Sequence, residues 1–173
     1  MHTLKIKKAT LADLEELQFI GRQTFTEAFA ADNTAVNMQK YLSEQFSLQQ
    51  LTDEISHPDS EFYLATYNHK TIGYLKVNFG QAQKELQDEQ ALEIERIYVL
   101  KEFHGKGVGQ LLFDKALQLA REKNAPYVWL GVWEKNPRAI HFYRKNGLQE
   151  FDRHHFILGD DEQTDIMMKL ELS

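Results

Sequence analysis

Hydrophobic positions change their spacing several times along the chain, and each change marks an element. Leu4 and Ile6 alternate with lysines, so residues 3–8 read as a short strand. Thr10 follows as a helix cap, with Asp13 in the place of a capping-box acid. Leu11, Leu14, Leu17, Phe19, Ile20, Phe25 and Phe29 recur mostly at three- and four-residue steps, which predicts a helix over residues 11–29 with an apolar stripe. Two further helical stretches are predicted at residues 35–46 and 48–56. The second ends at His57-Pro58, because the residue before a proline is pushed out of the helical region. Residues 61–67 and 71–79 alternate like strands around Asn68-His69-Lys70, a short hairpin connection. Residues 80–90 are polar and read as a loop. Beyond it the pattern predicts a strand at 91–99, a helix at 108–123, a strand at 127–133, a helix at 137–145, and strands near 148–158 and 164–172. The order is mixed α/β. No repeat or linker interrupts it, so residues 1–173 are expected to form a single domain.

Composition narrows the classes. The 173 residues carry 20 basic and 26 acidic side chains, a formal charge of −6, which argues against sequence-independent capture of a phosphate backbone and favours a cationic partner. With no cysteine, disulfides, thiolate nucleophiles and thiolate-bound metals are excluded. No apolar run approaches the roughly 18 residues of a membrane span, and the N-terminus lacks a signal-peptide stretch; a cytoplasmic address with no membrane partner is expected. His154 and His155 are adjacent on a strand and so point to opposite faces, while His57, His69 and His141 are scattered. No metal site is expected.

Two segments carry candidate chemistry. In the first, Phe103-His104-Gly105-Lys106-Gly107-Val108-Gly109, three glycines at alternate positions meet a helix N-terminus. Such a turn can present backbone N–H groups and the positive end of a helix dipole to an anion, or it can be a flexible connection; the glycines alone leave both open. The P-loop pattern is absent. The dinucleotide fingerprint fails because its third glycine would fall on Gln110. In the second segment Asn136 caps a helix, Pro137 suits its first position and Gly147 stops it. Phe142 and Tyr143 are adjacent within it, so one is expected to enter the core while the phenol points elsewhere; Tyr143 reads as a rim residue or a catalytic one.

Together, a glycine loop of this form followed by N-x-x-A-x-x-F-Y-x-x-x-G-L resembles the GCN5-related N-acetyltransferase (GNAT) superfamily. Within it, TF-x-x-x-F at 24–29, NMQKYL, LEIERIY, WLGVWEKN and GDDEQTD are most similar to PaiA-type polyamine N-acetyltransferases. The resemblance implies a mostly antiparallel, twisted sheet of about seven strands flanked by helices and splayed between the fourth and fifth strands. It implies acetyl-CoA as cosubstrate, with its diphosphate on Gly105, Lys106, Gly107, Val108, Gly109 and Gln110. The pantetheine arm would lie along Ile97, Tyr98 and Val99, with Asn136 nearby and Lys145 as a weaker phosphate ligand. One departure is His104, where the family usually carries Gln or Arg.

Acetyl transfer to an amine needs a proton acceptor, a donor to the oxygen of the thioester, and a proton for the departing thiolate. Glu93 and Glu95 alternate on one strand and share a face; they are base candidates, directly or through water, with Glu95 preferred. Each also reads as an edge residue or an ion pair with Arg96. Tyr143 matches the position of the thiolate's proton donor, and a backbone N–H near Val99 would meet the thioester oxygen. Glu27, Asp32 and the run Asp160-Asp161-Glu162 with Asp165 can attract a polyamine or be solvated faces. Trp133 can offer a cation–π surface or be a core aromatic. A polyamine such as spermidine or spermine is the expected acceptor. A protein N-terminus, a lysine or an amino sugar is the alternative, as is a non-catalytic CoA-sensing module. The chain is expected to act as a monomer or homodimer without nucleic acid.

Overall fold

The computed structural model describes residues 3–83 and 90–172. Among them are seven strands: β1 (Leu4–Lys8), β2 (Ser60–Tyr67), β3 (Lys70–Phe79), β4 (Leu92–Val99), β5 (Tyr127–Trp133), β6 (Gln149–Leu158) and β7 (Asp161–Glu171). They form one sheet in the order β1-β2-β3-β4-β5-β7-β6, antiparallel throughout except where β4 meets β5. The helices are α1 (Leu14–Phe29), α2 (Ala35–Gln45), α3 (Leu48–Ser56), α4 (Val108–Glu122) and α5 (Pro137–Lys145). This is the mixed α/β sheet that the resemblance implied. Of the predicted loop at 80–90, residues 84–89 lie outside the described residues.

Local chemistry explains most boundaries. Thr10 and Asp13 make the predicted capping box, but it opens a single 3-10 turn, Leu11–Asp13, that runs on into α1. The side chains of Thr34 and Ser47 accept hydrogen bonds from the N–H groups of Asn37 and Gln50 and start α2 and α3. Asn68 and His69 both adopt positive φ, 51° and 68°, as a tight two-residue hairpin requires, and join β2 to β3. The β6–β7 connection is tighter than the sequence pattern predicts: Leu158 pairs with Asp161 across Gly159-Asp160, so β7 begins three residues earlier than expected.

The apolar stripe of α1 needs one correction. Leu17, Ile20, Gly21 and Thr24 lie on its buried side, whereas Phe19 and Leu11 are 56% and 57% exposed. At about 100° per residue, Phe19 points some 200° away from Leu17, so it cannot share that face. Strand β3 is buried at almost every position, with α1 and α4 both packed on it. The main core runs continuously from these helices through β2–β5 to Ile140 and Tyr143 of α5.

Candidate active site

Parallel pairing between β4 and β5 lasts for three residue pairs, Leu92–Val128, Glu93–Trp129 and Ile94–Leu130, and then stops. On its other edge β4 stays paired with β3 as far as Val99, although the register slips: Lys76 faces Arg96 while Val77 faces Ile94. Glu95 is therefore the extra residue of a β-bulge, which bends a strand and increases its local twist. The bulge sits where the two strands part. From there they diverge into a V, and the edge of β4 over Ile97, Tyr98 and Val99 is left open toward β5. A cleft of about 730 Å³ fills the V.

The glycine turn closes one end of this cleft. Gly105 and Gly107 have φ of +77° and +81°, a left-handed backbone that glycine adopts without strain. A Cβ built on Gly105, Gly107 or Gly109 meets no atom within 4 Å, so the turn faces open space. Among the described residues no side chain caps α4. The first N–H groups of that helix thus point outward with the positive end of its dipole. Gly105, Gly107, Val108, Gly109 and Gln110 line the cleft. Lys106 does not; its ammonium lies over the Phe103 ring, 5.6 Å from the centroid. Lys145, exposed on the last turn of α5, also falls outside the lining.

His104 has a definite place. Its Nε2 lies 2.8 Å from the Val99 carbonyl oxygen and its Nδ1 meets the Arg138 guanidinium. Both contacts are satisfied at once by a neutral ring that carries its proton on Nε2, donates to Val99 and accepts from Arg138. Burial lowers the imidazole pKa, and the charges of Arg138 and Lys101 lower it further, against the opposing effect of the Val99 carbonyl. The ring ties the glycine turn to the end of β4 and to α5.

Across the cleft, Asn136 caps α5 by accepting from the Ala139 N–H at 3.2 Å, and both residues line the site. Tyr143 lines it too. Burial raises its phenol pKa well above the ordinary tyrosine range, so the hydroxyl keeps its proton at neutral pH. Phe142 is less buried than Tyr143 and packs edge-on against Phe113. Both adjacent rings therefore reach the cleft, in place of the expected division between core and cleft.

At the bulge the side chains form a buried charged cluster. Lys76, 2% exposed, places Nζ 2.5 Å from Glu54 Oε1 and 3.0 Å from Glu95 Oε1. Arg96 lies 3.3 Å from Glu54 and 3.4 Å from Glu95; its Nη1 contact with Glu54 is Coulombic, without hydrogen-bond alignment. Asn78 Nδ2 donates to Glu93 at 2.9 Å and to Glu95 at 2.8 Å, while Asn78 Oδ1 accepts from Ser60 Oγ at 2.8 Å. Glu93 and Glu95 do share a face of the cleft, as their spacing implied. Burial alone would raise the Glu95 carboxyl, but Arg96, Lys76 and the hydrogen bonds from Asn78 and Lys76 outweigh it and bring it down to about 2. A carboxylate held this low is a poor proton acceptor near neutrality.

Aromatic side chains make the opposite wall. Phe25 stacks on Phe29 and on Tyr41, each at 4.3 Å, and Phe29 lies 4.8 Å from Trp133. Trp133 is 4% exposed and lines the cleft from within this stack. Glu27 sits at the mouth, where it accepts the Lys101 N–H at 2.9 Å, and Asp165 lines the cleft beneath Gly131. Asp32 is exposed and outside the lining, because α1 ends at Phe29 and the following turn carries it away. Asp160, Asp161 and Glu162 lie at the β6–β7 turn, where the first two accept hydrogen bonds from Asn37 and Gln163 and the third lies 3.6 Å from His155, instead of lining the cleft. Lys76, Asn78 and Glu54 were not anticipated. The available signal was the two-residue spacing of Lys76 and Asn78 inside an apolar strand, which matches that of Glu93 and Glu95. Among the described residues no group of three or more His, Asp or Glu is placed to hold a metal ion, and no helix is long and apolar enough to cross a membrane.

A splayed parallel pair with a glycine turn at its end defines a class of protein, and the comparisons agree. The sequence model of the acetyltransferase (GNAT) family matches residues 22–148, and the chain belongs to that family of acyltransferases. It is 41% identical over 172 residues to an uncharacterised N-acetyltransferase of Lactobacillus delbrueckii subsp. lactis, covering 99% of both chains. It is 24% identical over 171 residues to the spermidine N(1)-acetyltransferase of Thermoplasma acidophilum, covering 96% of each. Among solved structures, the PaiA N-acetyltransferase of Thermoplasma acidophilum in complex with coenzyme A superposes with a TM-score of 0.81 at 22% identity, covering 98% of this chain and 99% of that one.

Proposed function

We propose that the protein transfers the acetyl group of acetyl-CoA to a primary amine, and that the amine is a polyamine such as spermidine or spermine. The observation that carries the chemistry is the open β4 edge, which ends at a glycine-lined helix N-terminus and faces Tyr143 across the cleft. This donor set fits the cosubstrate, which when bound supplies the acetyl group as a reactive thioester. The N–H groups of Gly105, Gly107, Val108, Gly109 and Gln110 would hold its diphosphate, with Lys106 and Lys145 contributing cationic charge from outside the cleft. Ile97, Tyr98 and Val99 would pair with the amides of the pantetheine arm, and Asn136 would lie beside it.

The protein's own residues then perform three tasks. An alkylamine of pKa about 10.4 is neutral to roughly one part in 2,500 at pH 7, which costs about 4.6 kcal/mol unless its proton is removed on the enzyme. Glu93, directly or through water, takes that proton. A backbone N–H near Val99 donates to the thioester oxygen, and Tyr143 donates to the departing sulfur. Substrate charge is met by Glu95 and Asp165 within the cleft and Glu27 at its mouth, opposite the aromatic wall that ends in Trp133. The similarity to a spermidine N(1)-acetyltransferase over nearly the whole chain supports a polyamine. The test is CoA release from acetyl-CoA with spermidine, spermine, an aminoglycoside and a peptide as competing acceptors. Polyamines are expected to give the highest kcat/KM; turnover of another amine without turnover of polyamines overturns the substrate assignment.

A further inference from the structure

The charged cluster contains more than a proton acceptor needs. Glu95 receives Lys76 and Asn78 on one oxygen and Arg96 on the other, and the β-bulge turns this carboxylate toward the cleft. Lys76 is in turn fixed between Glu95 and Glu54, so α3 braces the strand that lines the substrate end of the site. Two hydrogen-bond donors and a neighbouring guanidinium around one carboxylate stabilise its anion and weaken its affinity for a proton. We infer that Glu95 is a fixed anionic anchor for the ammonium of the acceptor, not its proton acceptor, and that Lys76 is the positioning residue that keeps this anchor in place. The inference rests on the acetyltransferase reading and assigns within it a division of labour, with Glu93 left for the proton.

Around Glu95 the groups able to shift its titration are Lys76, Asn78 and Tyr74 on β3, Glu93 and Arg96 on β4, Tyr41 on α2 and Glu54 on α3. Of these, Lys76 and Arg96 are the cations, and removal of Lys76 leaves burial opposed only by Arg96 and the Asn78 hydrogen bond. The anchor then loses charge as the solution is acidified, and with it the attraction for a cationic substrate.

The experiment measures KM and kcat for spermidine between about pH 5 and pH 9 in the wild-type protein, Lys76→Met and Lys76→Arg. A double variant, Glu54→Gln/Lys76→Met, removes one charge of each sign in case the single change prevents folding. In Lys76→Met or the double variant, KM should rise about 3-fold or more at the acid end relative to the alkaline end, with recovery in Lys76→Arg. A folded variant with a wild-type KM profile overturns the inference, since a merely structural lysine does not alter the pH dependence. A second readout needs no turnover: carbon-13 titration of the glutamate carboxyls, with Glu95 assigned by its loss in Glu95→Gln. The Glu95 signal should titrate at higher pH once Lys76 is replaced, and an unchanged midpoint overturns the inference. If the wild-type protein acetylates no amine, the acetyltransferase reading fails, and the carboxyl titration with calorimetric spermidine binding still decides whether Lys76 holds an anionic anchor.

Discussion

Replacing Tyr143 with phenylalanine isolates one oxygen atom. The ring stays, and with it the packing of a residue that is 7% exposed within the core. Among the described residues no side chain or backbone group bonds to the hydroxyl, so its removal strands no partner, and stability should change by no more than about 0.5 kcal/mol. Chemistry should change far more. Burial holds the phenol well above its ordinary pKa of 10.0, so the group is fully protonated throughout the assay range and can donate to a developing thiolate. Loss of a positioned general acid costs about 10²–10⁴ in rate, or about 3–5 kcal/mol of transition-state stabilisation. Tyr143→Phe is therefore expected to lower kcat for spermidine acetylation by about 100-fold or more. The Kd of acetyl-CoA, measured by calorimetry, should stay within about 2-fold. Thiol release monitored at several spermidine concentrations gives the first quantity. A kcat within about 3-fold of wild type, or a loss mirrored in acetyl-CoA binding, refutes the proton-donor role.

Gly107→Ala and Gly109→Ala separate backbone strain from ligand approach. The first forces alanine to φ +81° and should cost about 1–2 kcal/mol of stability. The second is helical with open space around it and should be neutral or stabilising by up to about 1 kcal/mol. Both should weaken acetyl-CoA binding in calorimetry, and unchanged affinity in Gly109→Ala argues against a diphosphate at this turn. His104 titrates below its ordinary 6.5 in the folded state, so the unfolded chain binds the extra proton first. Its contribution to stability is complete above pH 6.5 and is lost as pH falls below it toward the folded pKa, whereas that of Glu95 is complete above 4.5 and is lost separately between 4.5 and about 2. Thermal midpoints of His104→Gln should lose the acid slope just below pH 6.5; a slope equal to wild type would disprove the assignment. Gly21→Ala places a Cβ 2.5 Å from the Phe46 ring. The overpacking cost of about 1–3 kcal/mol should exceed the helix-propensity gain of about 1 kcal/mol, so a raised melting temperature contradicts the close approach of α1 to Phe46.

How far the sequence discloses this molecule depends on how local each cause is. The ends of α5 follow from Asn136, Pro137 and Gly147 alone; the helix runs from Pro137 to Lys145, and Gly147 takes φ +96°. Strand β5 and the Asn68-His69 turn are equally legible, because a short apolar run and positive φ are properties of a few consecutive residues. The glycine turn could be located in this way, although its partner in the cleft, Tyr143, needed a family pattern to be noticed. Leu11 and Phe19 were misplaced because an apolar residue near the right spacing is not thereby on the right face, and only the packed helix fixes the phase. The β-bulge lies beyond any reading of β4 by itself. Leu-Glu-Ile-Glu alternates and the adjacent Arg96 interrupts the pattern, but Glu95 becomes the extra residue only through its register with Lys76 and Val77.

The charged cluster shows how such non-local causes combine. A lysine inside Thr-Ile-Gly-Tyr-Leu-Lys-Val-Asn-Phe is costly to bury unless an acid meets it, so its presence there already demands a partner. Asn78 two residues on, and Glu93 and Glu95 two residues apart on the next strand, supply matching polar rows once β3 and β4 are paired. Only the third contributor, Glu54 from α3, escapes that logic, since nothing in its own helix distinguishes it from the solvated glutamates nearby. Pairing adjacent strands by their buried polar positions before assigning roles would have found Lys76. It would also have shown that the preferred base was already occupied by two cations.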